Sequence, residues 1–170
     1  MGLESFGRFQ QLRNRGRGYP PSRIGFSPKV NTGYINRLDA RINVAKSFQG
    51  INLPGISEPT VTAYNAFFQV FLTHSALERF IKIIGIKKVS GLDDLITSHG
   101  SEKVVKEFFD LDGKGKLYDF LCEHLDEGGM IEKGFSMCKR GESTNVAYVS
   151  AAVRHIFAHG HLTANASDNY

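Results

Sequence analysis

Apolar residues recur along this chain at steps of three and four, and nowhere in a convincing run at steps of two. Ile35, Leu38, Ile42, Ala45 and Phe48 follow at 3-4-3-3 spacing, one face of a helix over about 32–48 that stops at Gly50. Asn52-Leu53-Pro54-Gly55 cannot continue it, and Pro59 follows closely, so a loop separates this helix from the rest. The longest periodic run lies over about 60–84, with Tyr64, Phe67, Phe68, Phe71, Leu72, Leu77, Phe80, Ile81 and Ile84 on a broad apolar face. Pro59 suits its first turn and Gly85 its end, and the pattern predicts the central helix of a bundle. His74, set among Phe71, Leu72 and Leu77, reads as a hydrogen-bonded histidine at the edge of the core.

Shorter elements follow. Ser90 before Gly91-Leu92-Asp93-Asp94 reads as an N-cap with acids in the first turn, opening a helix that stops near His99-Gly100. Ser101 is placed to cap the next, which carries Val104, Val105, Phe108 and Phe109. Asp110-Leu111-Asp112-Gly113-Lys114-Gly115 has the outline of a calcium loop without its third oxygen ligand. Leu121 also stands where the loop needs its closing glutamate, so the segment reads as a turn. Leu117, Phe120, Leu121 and Leu125 give a helix ended by Gly128-Gly129, and residues 130–138 a short one. Val146, Val149, Val153, Ile156 and Phe157 predict a last amphipathic helix over about 142–158. The fold expected is all-α, an antiparallel bundle of five or six helices. There is no GxxxxGK[ST] or GxGxxG, which argues against a glycine loop cradling phosphate.

Charge changes this picture at one end. Residues 1–29 hold six basic side chains against Glu4, a net +5, whereas the other 141 residues hold 15 basic and 16 acidic, a net −1. The Arg15-Gly16-Arg17-Gly18 run, with Arg13 before it and Phe9 and Tyr19 beside it, joins phosphate-seeking charge to rings on which bases stack. Residues 1–29 are therefore expected to be a flexible basic arm that binds RNA through Arg13, Arg15 and Arg17, against the plainer reading of a solvated tail. No run approaches 18 apolar residues and Met1-Gly2-Leu3-Glu4-Ser5 lacks a signal peptide's apolar stretch, so no membrane association and a cytoplasmic location are expected. Cys122 and Cys138, sixteen positions apart without a CxxC pattern, read as buried or idle thiols.

The candidate chemistry is concentrated in Val153-Arg154-His155-Ile156-Phe157-Ala158-His159-Gly160-His161, where one fixed cation and three imidazoles fall within nine residues. Arg154 and His159 are five residues apart, about 140° of rotation and about 7.5 Å of rise on a straight helix, so they flank one edge. An Arg, a polar residue and a His after four intervening positions, closing in Ala158-His159-Gly160 late in an all-helical chain, resembles the signature of the HEPN domains (higher eukaryotes and prokaryotes nucleotide-binding). The resemblance covers roughly residues 59–164. It divides the chain into a basic arm (1–29), a helix with a Pro/Gly loop (30–58), a HEPN-like bundle (59–164) and a tail (165–170).

That resemblance implies a metal-independent endoribonuclease without cofactors, acting as a homodimer in a toxin-antitoxin or defence setting, with an antitoxin or regulatory protein as a possible partner. Arg154 and His159 are then catalytic, and His155 and His161 support them or contact substrate. RNA carries its own nucleophile, the 2′-hydroxyl. Its cleavage needs a base, an acid for the leaving 5′-oxygen and a cation for the charge on phosphorus, roles that imidazole and guanidinium fill near neutrality. Two other readings use the same residues: a non-catalytic HEPN-like module that binds nucleotide, RNA or a partner, and a metal site built on the HxxxH pair His155 and His159.

Overall fold

In a computed structural model of the chain, residues 29–87 and 89–161 are described, together with Gln11 alone. Among them the fold is all-helical, with seven α-helices and no strand. They are α1 (Thr32–Ser47), α2 (Glu58–Ile84), α3 (Asp93–Thr97), α4 (Ser101–Leu111), α5 (Lys116–Glu123), α6 (Met130–Lys139) and α7 (Val146–Ala158), with a 3-10 turn at Val89–Leu92 before α3. Seven exceeds the five or six expected for the bundle, and the two short helices read on either side of Gly100 are separate elements, parted by that residue at φ +78°. The basic arm, apart from Gln11 and Lys29, and the C-terminal tail at 165–170 lie outside the described residues, as do Arg13, Arg15 and Arg17.

Local chemistry explains most boundaries. Asn31 caps α1 by accepting the Tyr34 amide at 3.0 Å. Pro59 occupies the first turn of α2, and Gly85, at φ +78°, closes it in the left-handed conformation that costs glycine little. The segment with a calcium-loop outline is a turn whose Asp112 carboxylate accepts the Leu117 and Tyr118 amides at 3.0 and 2.8 Å, capping α5 from outside. The last helix begins at Val146 rather than 142, because Asn145 caps it by accepting the Ala147 amide at 3.0 Å. Two serines differ from expectation. Ser90 lies inside the 3-10 turn and caps no helix. Ser101 is the first residue of α4, and its hydroxyl accepts the Val146 amide at 2.8 Å while donating to the Thr144 carbonyl, so it caps α7 instead.

The core also shifts the expected centre. Ala147, Tyr148, Val149, Ala151, Ala152, Val153 and Ile156 are buried on α7, whereas α2 buries only His74, Ala76 and Ile83. The short last helix is the one wrapped by the others, and the long α2 lays one side against α1 and α7. The larger apolar cluster gathers α7 with α4, α5 and α6 around Phe135, whose ring stands 5.2 to 6.1 Å from those of Tyr118, Phe109 and Phe108. Gly134 lets α6 approach α7, since a Cβ there would meet the Tyr148 ring at 2.1 Å. A smaller cluster of Val30, Ile35, Leu38, Ala76 and Ile83 joins α1 to α2. Arg41 reinforces that join by donating to the carbonyl and hydroxyl of Ser75 at 2.9 and 2.8 Å.

Candidate active site at the end of the last helix

The start of α7 is latched from several sides. Asn145, 2% exposed, donates to the Val89 carbonyl at 3.1 Å and the Asp93 carboxylate at 2.6 Å, so α7 leaves the 3-10 turn and α3 in a fixed direction. Its other end is a glycine stop. Gly160, at φ +75°, allows its own amide to reach the Phe157 carbonyl and the His161 amide to reach the Ile156 carbonyl, both at 3.1 Å. The Ala158-His159-Gly160 sequence is thus a helix terminus that presents His159 as the C-cap and folds His161 back past the end.

Arg154 faces α2. Its guanidinium is 3.6 Å from a Glu78 carboxylate oxygen and 5.9 Å from the centre of the Phe71 ring, with the side chain one-third exposed. Its Nε is shielded from solvent and finds no hydrogen-bond partner among the described residues. Glu78 also lies 4.0 Å from His74 Nε2, while His74 Nδ1 is 2.9 Å from the Ser150 hydroxyl. His74 is 6% exposed, the core-edge histidine expected, and burial holds its proton affinity below the ordinary imidazole value. Glu78 opposes that shift and Arg154 adds to it. His74 therefore stays neutral near pH 7, and the Glu78 charge is left to Arg154.

The imidazoles gather elsewhere, at the end of α7. The rings of His155 and His159, one turn apart, have centroids 4.5 Å apart. The ring of His161 lies 4.9 Å from that of His124, which stacks 4.5 Å from Phe120 at the end of α5. His124 Nδ1 sits 2.9 Å from the Phe120 carbonyl, which only accepts, so that nitrogen donates. Burial first, then the neighbouring His159 imidazole, lowers the proton affinity of His155, with Asp126 opposing. The group thus comprises four imidazoles and one carboxylate, with His159 and His161 exposed.

The structure brings His155 to His159 and His161 to His124, and it does not bring Arg154 to His159 within one chain. Among the described residues no hydrogen bond, ion pair or ring contact joins those two. The reason is the 140° rotation between them: one edge of α7 is covered by α2, the other opens beside α5. Glu78, His124 and Asp126 enter the site without any warning in the sequence, because each is distant from α7 along the chain and only folding places it there. Among the described residues no group of three or more His, Cys, Asp or Glu side chains is placed to hold a metal ion, so the HxxxH pair stands without a third ligand. No helix among them is long and apolar enough to cross a membrane. No protein-family model, curated protein or solved structure matches the chain.

Proposed function

We propose that this chain is a metal-independent endoribonuclease of the HEPN type, with His159 and Arg154 acting on the scissile phosphate and His155, His161 and His124 beside them. The observation that carries the reading is the exposed imidazole group at the end of α7, in which His155 and His159 stand with ring centres 4.5 Å apart. His159 takes the proton from a 2′-hydroxyl, the freed oxygen forms a bond to phosphorus, and the bond from phosphorus to the 5′-oxygen breaks as an acid protonates that oxygen. The products are a 2′,3′-cyclic phosphate and a 5′-hydroxyl. Two rings in contact stand on the same side of a phosphate, whereas displacement in line needs base and acid on opposite sides. The second group therefore comes from another copy of the chain across a two-fold axis. Arg154 answers the charge on phosphorus, since a dianionic transition state competes well with a loose 3.6 Å pair to Glu78. A toxin or defence role, restrained by a partner protein, suits such an enzyme.

One observation favours the non-catalytic reading, a module that binds RNA, nucleotide or a partner. Arg154 already has an anion in Glu78 and a ring in Phe71, which is how a guanidinium that pins two helices together is held. The two readings separate on incubating purified protein with a mixed RNA pool, with and without EDTA, followed by end-group analysis. Cyclic phosphate and 5′-hydroxyl ends that persist in EDTA are expected. Intact RNA in both conditions would leave only the binding module.

A further inference from the structure

A second concave site lies where the chain enters α1 and where α2 ends. Lys29, Val30, Tyr34, Arg79, Lys82 and Gly85 line a cavity of about 320 Å³, and none of these residues belongs to the histidine group. Two features distinguish it from a gap in packing. Its wall is cationic, and among the described residues no carboxylate comes within ion-pair distance of Arg79 or Lys82. Its guanidinium is positioned in advance: Tyr34 presents its ring 5.6 Å from the Arg79 carbon and 5.0 Å from that of Arg37, contacts that restrain two otherwise mobile side chains.

The charge of Lys82 alone is explained by the carbonyl end of α2, where a cation is favourable. The Arg79 guanidinium, held 5.6 Å from the Tyr34 ring centre, adds a second cation to the same wall. The first turn of α1, capped by Asn31, opens beside the same cavity and adds the positive end of a 16-residue helix. Lys29, which lines this pocket, is also the last residue of the basic segment that the sequence marks as an RNA-binding arm.

We propose that this pocket binds a phosphate ester, with the Arg79 fork and the Lys82 ammonium on its oxygens, and that the ester belongs either to an RNA backbone or to a free nucleotide. Two oxygens of one phosphate suit the planar guanidinium, and a third faces the lysine. The inference goes beyond RNA cleavage and does not depend on it.

The test is binding, not turnover. The full chain is titrated with a short 2′-O-methyl RNA, which has no nucleophile and is not consumed, and separately with AMP and with inorganic phosphate. Wild type is expected to bind the oligonucleotide or AMP, and R79Q and K82Q each to bind about tenfold more weakly. For the oligonucleotide, each lost contact should lower the slope of log affinity against log salt by roughly 0.7. Lys82 is exposed, so K82Q keeps its fold and the test stands even where R79Q is unstable. Binding of the oligonucleotide alone assigns the ester to RNA, and binding of AMP assigns it to a nucleotide. Unchanged affinity in both variants overturns the proposal, as does binding of inorganic phosphate alone, an adventitious ion only.

Discussion

Arg154 and His159 share one helix and have opposite kinds of surroundings. The arginine is laid across α2, with Glu78 at 3.6 Å, Phe71 under its guanidinium and its Nε out of reach of water. The histidine is fixed by backbone, as the C-cap before Gly160, and among the described residues its exposed ring meets only the His155 imidazole. One half of the motif therefore doubles as part of the scaffold, while the other is free for chemistry. A substitution at 154 mixes stability with activity, and one at 159 reads activity alone.

The largest effect that sharpens this contrast is His159→Ala. Loss of a base or acid should slow RNA cleavage by about a hundredfold or more, with thermal melting unchanged, because the ring contributes nothing to the core. Full cleavage by that variant would move the chemistry to another residue. Gly134→Ala breaks the contrast from behind. A Cβ at 2.1 Å from the buried Tyr148 ring must displace α6 from α7, and a loss of about 3 kcal/mol in denaturant unfolding is expected. Both halves of the site then fail together. An unaltered unfolding midpoint would show that Tyr148 yields more easily than its surroundings imply.

Arg154→Ala comes next, with about 1 kcal/mol lost to an ion pair about one-third exposed and its apolar stem, on top of any loss of cleavage. Glu78→Gln is the finer probe. It should cost under about 1 kcal/mol and, by releasing the guanidinium, tighten RNA binding. Weaker RNA binding in E78Q would assign Arg154 to the scaffold. The mildest test is acid. His74 and His155 both bind protons less readily in the fold than in the unfolded chain, so the unfolded state takes up more protons as pH falls below the ordinary imidazole value near 6.5. Stability should be level above that pH and decline below it. A melting temperature that rises between pH 7 and pH 5 would contradict the burial of His74.

Much of this architecture is legible in the order of residues. The 3-4 spacing locates α1 to within a residue of its end at Ser47 and α2 to within two of its start at Glu58, since periodicity, proline and glycine act over a few positions. The end of α7 is equally local, because Gly160 dictates it. What escapes is whatever depends on distant partners. Ser101 looks like a cap for its own helix and serves one that begins forty-five positions later. The long aromatic run of α2 looks central, yet burial falls mostly on α7, whose small residues Ala147, Ala151 and Ala152 admit neighbours closely. Arg154 and His159 read as two residues on one edge. That Glu78 would claim the first, and that His124 would join the second group from α5, is a matter of tertiary packing.

Whether the exposed imidazole end of α7 cuts RNA decides the proposed function. The decisive measurement is cleavage of a single end-labelled RNA in EDTA by wild type and by H159A, at equal concentrations and with thermal melts showing both folded. A 2′,3′-cyclic phosphate product is expected from wild type and almost none from H159A. Equal cleavage by the two, or none by either, would contradict it.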